Sequence, residues 1–301
     1  MATVTSDFES AHQEAARRAR TVRNRIGTTL YYLALITVVV IVFFPIYWMM
    51  VTTFQPTKYS THFPPPLYPH DFNVDVFRVI FAKQSIGHWL LRSTLISLTA
   101  TLICIVLSIF GAYTLSSLRW KGRSAFAVFL LMTQMLPEAL IVVPIFRIFT
   151  NFPILHFDLR NKFYALSLLD CAFILPVAVW ILKNLYDTVP REVQEAAYVD
   201  GAGPMRVLWE IIVPLTKPGL VAVGVVAFFY AWNEYLFAQL LTPDKSLWSA
   251  AVGLGQMKTQ LDTPIEQQLA AGLIFAIPPV VFYLLMQRYI VAGITAGAVK
   301  G

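Results

Sequence analysis

Residues 195–218 read EAAYVDGAGPMRVLWEIIVPLTKP, a polar, foldable stretch set between two long apolar segments. Residues 193–200 are enough for two turns of helix. Gly201 suits the left-handed position that ends such a helix. Gly203-Pro204 restarts the chain with a proline near the first helical position. Val207, Leu208, Ile211, Ile212 and Leu215 then recur at helical spacing as one apolar stripe. Pro214 and Pro218 are expected to stop or kink this second helix. Ala196 and Ala197 have almost no side chain, so a partner's groove can close tightly on the backbone there, and Glu195 offers a charge to a basic group. Two readings follow: a hairpin that docks into a partner, or an amphipathic hairpin lying on lipid headgroups.

Composition sets the surroundings of this stretch. The 301 residues are 57% hydrophobic and only 13% charged, with mean hydropathy +0.63. A soluble domain carries roughly 25% charged residues, so this chain lacks the charge to cover a core in water. The class implied is a polytopic helical membrane protein. The net charge of +6 is the basic excess expected of cytoplasmic loops, and no nucleic-acid partner is read from it. Cys104 and Cys171 lie inside apolar segments and read as buried small hydrophobes.

Crossing a bilayer takes about 20 apolar residues. Six segments qualify, at about 29–51, 89–118, 124–146, 163–182, 218–241 and 269–287. The first is flanked by a polar tail, 1–28, that reads as amphipathic or disordered. The third is interrupted by Pro137, Glu138 and Pro144, the fourth holds Asp170 and Pro176, the fifth Asn233 and Glu234, and the sixth Pro278-Pro279. Six spans put both termini on one side. Of the 23 Lys and Arg, 13 fall on the tail, 117–123, 184–217 and the C-terminal end, and 7 on the other three loops. The positive-inside rule therefore places the 184–217 loop and both termini, including the tail 288–301, on the cytoplasmic side. The outer loop 52–87 carries Pro64-Pro65-Pro66 and Pro69, which stiffen it toward polyproline II.

Glu195-Ala196-Ala197, Asp200-Gly201-Ala202, Ile211 and Pro214 together resemble the signature of ABC importer permeases. The chain is similar to the inner-membrane permease of carbohydrate-uptake importers, the maltose and oligosaccharide type, over most of 29–301. Trp232-Asn233-Glu234-Tyr235 and the ending QRYIVAGITAGAVKG (287–301) are part of that likeness. Leu208 stands where the family commonly has Phe, and Glu138 occupies a usually apolar place. The resemblance implies an all-α type I permease fold and a heterodimer with a second permease. It implies two copies of an ABC ATPase that hold the ATP and Mg, and an extracytoplasmic binding protein delivering the sugar. Glu195 to Ala202, with Ile211 and Pro214, would be the ATPase-coupling residues. The loop 242–267, with Trp248 and Gln256, matches the position of one that contacts the binding protein, and the C-terminal tail that of one reaching between the ATPases.

Ionisable residues inside a membrane are expensive and mark candidate sites. Glu138, Asp170, Asn233 and Glu234 are candidates for the translocation path. Glu138 is equally a candidate to pair with Arg147 or with an arginine of another subunit, and Asn233 and Glu234 to serve structure. No phosphate-binding G-x-x-x-x-G-K-[ST] motif is present, so no cofactor is assigned to the chain itself. Two other functions are weighed against transport: an intramembrane enzyme using Glu138 and Asp170 as a carboxyl pair, and a stand-alone ion-coupled carrier titrating Glu138 or Glu234. Neither gives the hairpin a role.

Overall fold

The structure, a computed structural model, describes residues 2–60, 66–151, 158–259 and 263–298. Pro64, Pro65 and the last three residues lie outside that description, as do the side chains of 1–23 and 290–298. The chain divides into two units, Met1–Asn73 and Val74–Gly301.

In the first unit, helix α1 (Ala2–Thr53) carries the polar tail and the first apolar segment on one continuous axis. The short α2 (Thr57–Ser60) follows. The chain then doubles back: Tyr47 donates a hydrogen bond to the Leu67 carbonyl, Phe54 stacks on Phe72 at 4.9 Å, and Lys58 pairs with Asp71 at 3.3 Å. The apolar side chains of α1 between Leu30 and Met50 are almost all exposed, as a lipid- or partner-facing span requires.

The second unit begins with α3 (Asp75–Lys83) and the long α4 (Ile86–Ser116). Then come α5 (Arg123–Thr133), α6 (Glu138–Thr150) and α7 (Phe163–Tyr186). The hairpin is α8 (Arg191–Val199) and α9 (Pro204–Val207), a π turn (Leu208–Ile212) and α10 (Val213–Leu215). The chain ends with α11 (Lys217–Asn233), α12 (Leu236–Leu241), a 3-10 turn (Lys245–Leu247), α13 (Ala250–Thr259) and α14 (Ile265–Ala298). Helices α4, α7 and α11 form the centre, where Cys104, Ala112, Cys171, Ala178, Val223 and Ala227 are buried against one another. Small residues let backbones approach closely where lipid leaves no hydrophobic drive between helices. Ser167 on α7 adds a polar tie, donating to the Ile96 carbonyl of α4 at 3.1 Å.

Four helices are long and apolar enough to span a membrane unbroken: 24–53 of α1, α4, α7 and 265–289 of α14. The third expected span is not one helix: α5 and α6 meet at 95°. Pro137 is the cause, because the residue before a proline is pushed out of the helical region, and the freed chain turns at Gln134 to Pro137. The fifth expected span also breaks, ending as α11 at Asn233, with the rest re-forming as α12.

The candidate coupling hairpin and the intramembrane carboxyls

The hairpin follows from local chemistry. Helix α8 stops at Gly201, whose φ of +82° is readily open only to glycine. Gly203 is extended, and Pro204 opens α9 where its missing N–H costs nothing. Pro214 does not end the second helix. A proline cannot donate to the preceding turn and its ring presses on a carbonyl four residues back. The chain accommodates this by widening: the Val213 N–H bonds to the Leu208 carbonyl, a π turn. The helix ends at Thr216, where it meets α11 at 79°, and the Thr216 hydroxyl donates to the Ile212 carbonyl at 2.7 Å.

The predicted stripe is only partly a buried face. Val207, Leu208 and Ile212 are fully buried beside Tyr113, Leu182 and Tyr186, Ile211 is half-buried, and Leu215 is exposed. Each full burial contributes about 2 kcal/mol, so this apolar face is held by the protein, and the lipid-headgroup reading loses its anchor. Tyr113, at the end of α4, fixes the hairpin's turn: its hydroxyl donates to the Pro204 carbonyl at 3.0 Å and lies 3.2 Å from the Tyr198 hydroxyl. Nothing in the linear pattern marks Tyr113, because its partners lie 85 and 91 residues away.

What remains outward is a compact tip. Glu195, Ala196, Asp200 and Gly201 are exposed, whereas Ala197 and Ala202 are half-buried and pack back on the core. Val199 is 87% exposed and Met205 55%; two apolar side chains so displayed at the tip of a polar turn were not singled out from the sequence.

The intramembrane groups take different parts. Glu138 opens α6 and accepts a hydrogen bond from the Tyr230 hydroxyl of α11 at 2.5 Å. Tyr230, not Arg147, is thus its partner, and Arg147 is exposed. Glu234 fills the break between α11 and α12: its two carboxylate oxygens accept from the N–H groups of Phe237 at 2.7 Å and Ala238 at 2.8 Å. It caps α12, satisfying donors that a membrane interior would leave bare. Asn233 is exposed and donates to the Phe229 carbonyl at 2.8 Å. Asp170 is buried, and its Oδ1 has no hydrogen-bond partner among the described residues. It faces a cavity of about 10 Å³ shared with Glu234, Ser93 and Ser249, room for about one water and none for a sugar.

Trp248 and Gln256 lie at the other end of α4. The Trp248 indole donates to the Thr242 carbonyl at 3.1 Å and sits 6.2 Å from Trp89; Gln256 is half-buried on α13. A Cβ placed on Gly253 would come within 2.2 Å of a Trp89 ring carbon, so α13 rests on α4 backbone to indole. Asp244 caps the adjoining turn, accepting from the Ser246 N–H at 2.9 Å and hydroxyl at 2.8 Å, and those bonds hold its carboxyl below the usual range. From Trp89 to Tyr113 along α4 is about 36 Å, more than the roughly 30 Å of a hydrocarbon core. The hairpin and the 242–259 segment therefore lie at opposite ends of α4, farther apart than a hydrocarbon core is thick.

These features define a polytopic helical membrane subunit with a protein-anchored hairpin at one end. Residues 104–296 match the family described as binding-protein-dependent transport system inner membrane component, and the chain belongs to that family. It is a multi-pass inner-membrane permease of an ABC importer, and not an enzyme. The inner membrane ABC transporter permease protein YcjP of Escherichia coli K12 is 34% identical over 280 residues, 92% of this chain and 97% of that protein. The trehalose transport system permease protein SugB of Mycobacterium tuberculosis is 33% identical over 259 residues, 85% of this chain and 92% of that one. The fold is shared with a chain from the crystal structure of a bacterial ABC transporter involved in the import of the acidic polysaccharide alginate. That likeness has a TM-score of 0.74 at 17% identity, covering 88% of this chain and 96% of the other.

Proposed function

We propose that this chain is one of two permeases that carry a carbohydrate, an oligosaccharide or sugar derivative, through the membrane on another subunit's ATP. The tip formed by Glu195, Ala196, Asp200, Gly201 and Met205 seats in a groove of an ABC ATPase on the cytoplasmic side. Two such ATPases, holding ATP and Mg, close and open, and the hairpin passes that movement to the spans. An extracytoplasmic binding protein delivers the sugar at the opposite face, where 242–259 lies. The exposed apolar flanks of α1 and α14 suit lipid and the second permease. The observation that carries the reading is the hairpin itself: its apolar face is spent inside the bundle while its polar tip stands free. Sugars are carried by relatives such as the trehalose permease, which supports a carbohydrate cargo. For the path, exposed Asn233 and half-buried Glu138, which also receives the Tyr230 hydroxyl, are the candidates kept, Glu234 capping α12 and Asp170 being enclosed.

The test separates docking from folding. Ala196 is exposed, so Ala196→Glu alters the tip without disturbing the chain's own packing; Gly201→Asp alters its turn. Both variants are expected to insert at normal levels, lose the co-purifying ATPase and abolish sugar uptake in cells. Uptake at the normal rate with Ala196→Glu would remove the coupling assignment.

A further inference from the structure

A second cavity lies beside the hairpin and reaches its tip residue Glu195. It has a volume of about 470 Å³ and is formed where the end of α4, the start of α5, the end of α7 and the first turns of α8 converge. That volume is in the range of small-molecule sites and far larger than a bare ion needs. Its lining holds four cations, Arg119, Arg123, Lys183 and Arg191, against the carboxylates Asp187 and Glu195.

The cations are not equivalent. Lys183 is held by Asp187 at 2.5 Å, and Arg123 donates to the carbonyls of Ser116 at 3.1 Å and Leu118 at 3.4 Å. Asp187 is further engaged by the Ser116 hydroxyl at 2.6 Å. Arg119 and Arg191 are exposed and have no hydrogen-bond or ion-pair partner among the described residues. The Ser117 hydroxyl, also on the wall, is buried with its oxygen unpartnered. Two guanidinium groups on separate elements, neither with a partner among the described residues, line one polar space. Guanidinium forks match the several oxygens of a phosphate.

We propose that this cavity binds a phosphate ester, and that the bound anion ties the first turn of α8 to the turn after α4. The ester comes either from an anionic lipid headgroup or from a soluble phosphorylated compound. Bound there, it steadies the hairpin relative to the bundle, by mass action on that arrangement. The proposal depends on the coupling reading only through the cavity's place beside α8.

The tagged full chain, purified from its native membrane with its bound subunits, is placed in phosphatidylcholine nanodiscs. Inorganic phosphate is one probe, and phosphatidylglycerol in the bilayer is the other. The permease melting temperature is expected to rise with one of them. The Arg119→Gln/Arg191→Gln double variant is expected to weaken that probe's apparent affinity roughly tenfold, and Arg119→Lys less. A response to phosphate identifies a soluble ester; a response to phosphatidylglycerol identifies a headgroup. If neither probe stabilises the wild type more than the double variant, the site does not exist. If the double variant instead sheds the ATPase, the arginines belong to subunit docking and the proposal falls. Wild-type chain that never holds an ATPase would count against the coupling reading alone, since both probes are still read on the permease.

Discussion

Glu234 shows how one side chain's role turns on a break that its neighbours conceal. The run from Pro218 to Leu241 is apolar enough to read as one span, and within it an acid could serve either the path or the structure. Both of its carboxylate oxygens receive the backbone of α12, the structural alternative. Glu234→Ala should lower stability by about 1 kcal/mol, while Glu234→Gln, which keeps one acceptor, should lose less. Melting of the detergent-purified chain checks the order. Equal melting of the two variants, with transport lost in both, would return Glu234 to the path. Glu138 was legible as an anomaly but not its partner, because Tyr230 lies 92 residues further along the chain.

At the scale of elements, what was readable follows how local the cause is. The hairpin was readable because glycine and proline act on their own backbone: Gly201 and Gly203-Pro204 fall where the sequence placed the turn. Pro214 and Pro218 are read to stop or kink the second helix; at Pro214 the outcome is a π turn, and the 79° bend comes just before Pro218. The seat of α13 on α4 was not readable at all, since it joins Gly253 to Trp89 across more than half of the chain. Gly253→Val should push the indole aside and cost about 2 kcal/mol, seen as a lower melting temperature and easier proteolysis near 242–259. Unchanged melting would mean that α13 is not held by this contact.

For the whole molecule, the spacing of features along α4 sets the two faces. With Cys104→Ala and Cys171→Ala as background, a cysteine at Val199 should react with a membrane-impermeant thiol reagent only in opened cells. A cysteine at Ser246, exposed beyond the other end of α4, should react in intact cells. The reverse pattern would overturn the orientation, and labelling of both sites from one side would overturn the opposite-face geometry.

The elbow at Thr216 carries one more consequence. The helix ending at Leu215 meets α11 at 79° and its root is packed among α4 and α7, so in the proposed docking a sideways push on the tip would be delivered as torque about the bundle axis. Under the proposed coupling, the hairpin would act as a gear tooth shared by three rods, since its buried residues pack with α4, α7 and α11 alike, and a small stroke at the tip would reach the far mouth as a rotation.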